Sequence, residues 1–217
     1  MAQIAVIGLG RFGFHAAREL QEAGHDVLAI DIDQGNVERI GDLVSRAVRL
    51  DARDKERLDA LGIKDFDVVV VSLGERIDAS TLVALHLKEL KVPKIITKAG
   101  SEDHAKLLRL IGVHEIVFPE REAAARLARR MSTANLLDYI PLGEAYSIQE
   151  IAPTEEMVGK TLEQLRLRNR FKVQVIGIRD VLTDEVDLNP GPKFRIKDSD
   201  ALVILGRNED LERMKKQ

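Results

Sequence analysis

Apolar positions in the first half of the chain come in short continuous runs, and the stretches between them repeat at helical spacing. The runs are Gln3-Ile4-Ala5-Val6-Ile7, Val27-Leu28-Ala29-Ile30, Ala47-Val48-Arg49-Leu50, Val68-Val69-Val70-Val71, Lys94-Ile95-Ile96-Thr97-Lys98 and Glu115-Ile116-Val117-Phe118. Val68–Val71 is wholly β-branched, the mark of a strand buried on both faces. Between the runs, Phe12, Ala16, Ala17 and Leu20 give an amphipathic helix from Arg11 to Ala23, stopped by Gly24. Further helices are predicted over about Asn36–Leu43, Lys55–Leu61, Thr81–Leu90 and Glu102–Ile111. Strict alternation of strand and helix implies an α/β fold, a Rossmann-like doubly wound parallel sheet. A ligand of such a sheet lies beyond the carboxyl ends of its strands, here near Gly8, Asp31, Asp51, Leu73 and Lys98.

From Pro119 the pattern changes. Ala123, Ala124, Leu127, Ala128 and Met131 form the apolar face of one more helix, and small residues there allow close packing. Asn135–Tyr139, running on to Pro141 and Gly143, reads as a linker. Beyond it Tyr146–Ile151 alternates, Thr161–Leu165 is a short helix, Val173–Ile178 and Ala201–Leu205 are strands, and Asn208–Lys216 is a terminal helix. The expected organisation is a Rossmann domain over 1–118, a helix and linker over 119–139, and a small α+β domain over 140–217. A unit that small has a limited core and is expected to dock or dimerise.

The first apolar run ends in Gly8-Leu9-Gly10-Arg11-Phe12-Gly13, a Gly-x-Gly-x-x-Gly turn between strand and helix. Gly8 permits the tight turn, Gly10 lets backbone approach a phosphate, and Gly13 lets the helix pack close to the strand. The helix N-terminus offers free N–H groups and partial positive charge to that phosphate. Asp31, ending the second run, stands near the spacing expected of a carboxylate that binds a ribose hydroxyl.

Composition narrows the chemistry. The chain has 217 residues, a net charge of −3 and no cysteine, which argues against a nucleic-acid partner and excludes disulfides and thiolate chemistry. No apolar run is long enough to cross a membrane, and no signal peptide is visible, so a cytosolic location is expected. None of the five histidines has metal-ligand spacing. No nucleophile elbow, Walker lysine loop or acid–base pair for hydride transfer appears, which favours a non-enzymatic binding module over a small NAD-dependent oxidoreductase.

Arg11 departs from an ordinary dehydrogenase turn. A guanidinium there stands beside bound phosphates and suits ATP or ADP at least as well as NAD, the alternative being a solvated helix-start arginine. Asp33 reads first as a helix cap. Asp51 is placed to reach an adenine, or only to stabilise its loop. Lys98 is placed to meet a phosphate, or to be solvated. Glu120 is a candidate oxygen ligand for a divalent cation, with a dipole-facing helix-start carboxylate as the better-supported reading. His104 opens the fifth helix near the ligand edge, as a ligand contact or a cap.

With these residues in hand, the whole chain resembles the RCK (or KTN) regulatory subunits of Ktr- and Trk-type potassium uptake systems, in the one-copy, KtrA-like form. The marks are Ile7–Gly13, Gly24–Asp31, Ala79-Ser80-Thr81-Leu82, Lys98-Ala99, Ile116–Glu120, Tyr146-Ser147-Ile148 and Gly159-Lys160-Thr161-Leu162. The resemblance implies ATP or ADP binding, with NAD(H) as in Trk-type relatives. It implies contacts from the glycine turn including Phe12, with Arg11 at the terminal phosphates. Asp31-Ile32-Asp33 would stand at the ribose, and Asp51-Ala52, Leu73-Gly74-Glu75 and Lys98-Ala99-Gly100 would line the site, with His104 nearby. Glu120 would lie close to a dimer interface that can bind Mg2+ or Ca2+. It further implies homodimers through a crossover helix at about Arg121–Met131, assembling into an octameric ring on the cytosolic side of a membrane potassium-translocating subunit. Regulation of a different cation antiporter or exporter is the neighbouring reading. Arg168 aligns with an arginine implicated in cyclic di-AMP binding; Lys172, where a glycine is often found, counts against that ligand.

Overall fold

The parallel sheet and the β-rich second half predicted from periodicity are both present in a computed structural model of the chain. It describes residues 1–74, 76–132 and 135–215, omitting the side chains of Arg129, Arg130 and Ser132. The chain divides into two compact units, Met1–Arg121 and Glu122–Gln217.

The first unit runs β1 (Gln3–Ile7), α1 (Arg11–Glu22), β2 (Asp26–Asp31), α2 (Gln34–Ile40), β3 (Arg46–Arg49), α3 (Lys55–Ala60), β4 (Val68–Val71), α4 (Ile77–Glu89), β5 (Lys94–Lys98), α5 (Glu102–Ile111) and β6 (Glu115–Val117). Its six strands are parallel in the order β3-β2-β1-β4-β5-β6. Strand order therefore reverses between β1 and β4, and the crevice at that switch point opens above the glycine turn. Successive strand residues feed opposite faces. Ala5, Ile7, Leu28, Ile30, Val69 and Val71 pack with Leu58, Val83 and Leu87 on one side. Ile4, Val6, Val27, Ala29 and Val70 pack with Ala17 and Ile40 on the other. Both faces are covered, which is why the strands read as continuous apolar runs.

Local chemistry sets the helix ends. α5 has its predicted limits because the Ser101 hydroxyl accepts the His104 N–H at 3.1 Å and Gly112 closes the helix at φ 86°. α4 begins at Ile77, earlier than the Thr81 start predicted. Thr81 is no cap: its hydroxyl donates back to the Ile77 carbonyl at 2.6 Å, so the residue fits inside the helix.

The helix α6 (Pro119–Ser132) crosses the division between the units. The second unit continues with β7 (Leu136–Leu142), β8 (Tyr146–Ile151), α7 (Leu162–Leu165), α8 (Leu167–Phe171), β9 (Gln174–Asp180), β10 (Val186–Leu188), β11 (Asp200–Arg207) and α9 (Asn208–Lys215). Its antiparallel sheet has the order β10-β9-β11-β8-β7. Ile151, Leu165, Phe171, Ile178, Leu202 and Leu211 centre its core. Two readings need correction. The expected linker at 135–143 is β7, paired with β8, with Pro141 opposite Ser147. Proline suggested an interruption, but β7 is an edge strand, where a residue without an N–H is tolerated. The short edge strand β10, unpredicted, precedes the turn-rich Asn189–Pro192.

A candidate nucleotide site at the carboxyl edge of the parallel sheet

The glycine turn is tight where the pattern requires it and open where a ligand would come. At Gly8 (φ +91°) a Cβ would lie 2.4 Å from the Ser72 carbonyl oxygen, and at Gly13 one would lie 1.8 Å from the Gly8 oxygen. Any side chain at either position would push the turn off β4 or α1 off β1. At Gly10 a Cβ would meet nothing within 4 Å. The Phe14 N–H donates to the Gly10 carbonyl at 2.9 Å, so the N–H groups of Arg11, Phe12 and Gly13 precede the helical ladder. No acidic residue occupies that first turn, which leaves its electrostatics favourable to an anion.

Asp31 is wired into the turn. One carboxylate oxygen accepts the Leu9 N–H at 2.6 Å and the Asn36 amide at 3.4 Å; the other accepts the Asp33 N–H at 2.9 Å. Its first task is to clamp the turn to the end of β2. Asp33 accepts the Asn36 N–H at 3.0 Å and caps α2. Arg39, unmarked in the sequence, donates to the Leu9 carbonyl at 3.3 Å and covers the Phe14 ring at 4.4 Å, bracing the turn from outside.

Most of the other predicted residues fall around two clefts of the first unit. The cleft at the switch point gathers Gly8, Asp31, Ile32, Asp51, Ala52 and Leu73, and adds Arg53, Arg76 and Ala79. Arg53 grips Asp51 with Nε at 2.9 Å and Nη2 at 2.6 Å from its two oxygens, and that bond holds the Asp51 carboxyl down at about 2. Asp51 thus enters the cleft as a loop brace that orients an arginine. Arg53 and Arg76 escaped the sequence reading because each lies a few residues past its strand, where spacing carries no signal.

The second cleft gathers Gly74, Lys98, Ala99, Gly100 and Glu120, with Ser101, Glu102, Phe118 and Arg121. The Lys98 ammonium, only 14% exposed, is bound to the Glu120 carboxylate, itself 70% exposed. This hydrogen bond pulls the Glu120 carboxyl below its ordinary range. Arg121 pairs with Glu102 and lies 3.9 Å over the Phe118 ring.

Phe12, Arg11 and His104, also predicted for the site, line neither cleft. Phe12 packs against the α1 side of the sheet, because it points along the apolar face of α1. Arg11 is exposed at the helix start, and among the described residues nothing pairs with it. His104 is buried at 1% exposure; its Nδ1 accepts the Gly100 N–H at 3.3 Å, and burial lowers its pKa. It braces the loop between β5 and α5 from beneath, while its buried Nε2 has no hydrogen-bond partner among the described residues. Glu75 lies outside the described residues. In the second unit Arg168 lines a separate cleft with Arg166, Asn169, Gln174 and Pro190. Lys172 takes the left-handed conformation at φ 58°, one that glycine adopts at lower cost than lysine.

A divalent cation asks for about six oxygen ligands. Among the described residues no group of three potential metal ligands exists, and Glu120 is bound to Lys98. The described residues of one copy do not by themselves fit Mg2+ or Ca2+. Among the described residues, no helix is long and apolar enough to cross a membrane.

Comparison with known proteins agrees with this architecture. Residues 4–119 match the TrkA-N domain and residues 149–217 the TrkA-C domain. Ktr system potassium uptake protein A of Bacillus subtilis is 37% identical over 99% of this chain and 96% of its own length, and protein C of that organism is 39% identical over the same shares. Ktr system potassium uptake protein A of Vibrio alginolyticus is 34% identical over 96% of this chain and 94% of its own. Among solved structures, the GsuK RCK domain shares the fold over 100% of this chain and 48% of that one, with a TM-score of 0.70 at 18% identity. The GsuK channel bound to NAD also shares it, over 100% of this chain and 38% of that one, with a TM-score of 0.56 at 22% identity. The sheet order, the glycine turn and these matches lead to one assignment: the chain belongs to the family of TrkA-N and TrkA-C domain proteins that includes the Ktr potassium uptake proteins.

Proposed function

We propose that this chain is a non-enzymatic, nucleotide-sensing regulatory subunit. It acts at the cytoplasmic face of the membrane on a potassium-translocating partner, and ATP and ADP stabilise different conformations of an oligomeric ring. The observation that carries the reading is the open turn at Gly10, with Arg11, unpaired among the described residues, beside it and Asp31 at its far side. A ligand moves a two-state assembly only through unequal affinity for the two states, and the terminal phosphate of ATP beside a free guanidinium is a physical source of that inequality. NAD(H) fits the same turn, and the GsuK channel bound to NAD supports it as a second ligand. The names of the Ktr relatives support potassium as the transported ion.

Assembly is supported by apolar side chains on the outer faces of three helices. Leu82 and Leu85 on α4, Leu107 and Leu110 on α5, and Leu127 and Met131 on α6 are exposed. Side chains of this kind suit contact between copies in dimers and in an octameric ring. A Mg2+ or Ca2+ site would draw on Glu120 together with groups from a second copy or a bound nucleotide. Arg168, with Arg166 beside it, is the group that would meet the phosphates of cyclic di-AMP.

The test is calorimetric titration of ATP and ADP into the wild type and Arg11→Ala. The wild type separates the two ligands, and the variant loses that separation by about 1–2 kcal/mol, the worth of a charge-assisted bond at an exposed site. Equal discrimination in both proteins would overturn the role of Arg11. Absence of nucleotide binding to the wild type would overturn the function.

A further inference from the structure

The second unit holds a cleft of about 880 Å³, within the range usual for small-molecule sites. Its apolar wall is Leu142, Tyr146 and Leu205. Strand pairing gathers this end of the sheet, since Leu142 of β7 lies opposite Tyr146 of β8, which lies opposite Arg207 of β11. The other wall is Lys172 and Gln174 at the entry to β9, with the first turns of α9. Two of its cations have no ion-pair partner among the described residues. Arg207 Nε donates to the neutral Tyr146 hydroxyl at 3.0 Å, and its guanidinium lies 5.5 Å from the ring centroid. That bond fixes the planar fork and leaves both terminal nitrogens for another acceptor. The Asp210 and Glu209 carboxylates act on Arg207 only through space, and Asp210 is bound instead to Arg213. Lys172 is the second such cation, and its backbone is left-handed at φ 58°. A lysine bears a steric cost there that glycine avoids, and an outlier of this kind points to a use for its side chain. The cleft shares only Gln174 with the one that holds Arg168.

We infer that this cleft is a ligand site for a small organic monoanion, a carboxylate on an apolar or aromatic body. The Arg207 fork offers two parallel N–H bonds to a carboxylate, Lys172 adds a point charge, and Leu142, Leu205 and the Tyr146 ring cover the body. Charge selects the class. Lys172, Arg207 and Arg213 against Glu209 and Asp210 leave one positive charge in excess, which one carboxylate neutralises. A second negative charge on the ligand would meet Glu209 with no cation left to offset it. Lys172 ends α8 and Arg207 immediately precedes α9, so a bound carboxylate ties these two helix junctions together. None of these residues belongs to the first unit, so the inference stands apart from the nucleotide reading.

The experiment is titration of the full chain with benzoate, acetate, benzyl alcohol and phenyl phosphate, followed through the methyl NMR signals of Leu142 and Leu205. Benzoate is expected to shift both signals to saturation, with acetate and benzyl alcohol about tenfold weaker because each offers only half of the match. Arg207→Lys keeps the charge but loses the fork, and is expected to weaken benzoate about threefold to tenfold. Lys172→Gly is expected to weaken it about fivefold while raising the melting temperature, because glycine relaxes the left-handed backbone. A purely structural lysine would not separate affinity from stability in this way. Arg168→Gln is expected to leave benzoate binding unchanged. Methyl signals that benzoate does not move, or equal affinity in the wild type, Arg207→Lys and Lys172→Gly, would overturn the site. Loss of binding in Arg168→Gln would overturn it too, by assigning the anion to the neighbouring cleft. Phenyl phosphate binding more tightly than benzoate would overturn the charge class. Arg207→Gln repeats the measurement if the lysine variant does not fold.

Discussion

The two units solve the problem of a β-sheet in opposite ways. The first covers both faces of a parallel sheet with helices and leaves its carboxyl edge open as a cleft. The second builds an antiparallel sheet whose edges are β10 and β7, both carrying exposed apolar residues, among them Leu188, Ile140 and Leu142. The first arrangement buries both faces of its sheet and leaves its apolar exposure to the outer sides of α4 and α5. The second leaves strand edges and apolar side chains of the kind that other surfaces cover. The chain thus joins a unit whose sheet faces are covered and whose strand ends border a cleft to one whose sheet edges are exposed.

The sharpest way to break this contrast is at the turn. In Gly13→Ala the new methyl group collides with the Gly8 carbonyl, and nucleotide binding is expected to be lost together with about 3 kcal/mol of first-unit stability, read by titration and by thermal melting. Leu202→Ala empties the core of the second unit instead. It is expected to cost about 2–5 kcal/mol in denaturant unfolding of that unit while nucleotide affinity stays unchanged. A parallel loss of affinity would show that the units depend on each other. Asp31→Asn keeps the shape and removes the charge that clamps Leu9; affinity is expected to fall by about 1–3 kcal/mol without loss of fold.

The smallest effect concerns pH. Burial lowers the His104 pKa, so the folded chain holds a neutral imidazole that the unfolded chain protonates more readily. Its contribution to stability is complete above the ordinary imidazole range and is lost as pH falls through that range towards the depressed folded value. Unfolding curves between about pH 7.5 and 5 are expected to show this loss in the wild type and to flatten in His104→Gln.

Much of the first unit was legible because period and burial agree. A strand covered on both faces must be apolar throughout, and Ser101 and Gly112 delimit α5 by local hydrogen bonding alone. The limits of α4 were not legible, since a threonine that bonds back to its own helix looks like one that begins a helix. β7 was hidden because Pro141 signals an interruption unless its strand is known to lie at an edge. At the site, Gly8, Gly13 and Asp31 followed from their spacing. The grip of Arg53 on Asp51 and the brace of Arg39 on Leu9 join residues by folding, without any repeat to announce them.

The sequence by itself determined the parallel sheet, the glycine turn and the acidic partner at the end of β2, because each depends on backbone conformation or on a fixed number of residues between strand and helix. Only the tertiary structure decided which charged side chains are committed and which are open. It turned Asp51 into a brace, placed His104 beneath its loop, left Arg11 unpaired among the described residues and set Lys98 against Glu120. Ion pairs and burial depend on distances across several elements, and those distances exist only once the sheet has brought its strand ends together.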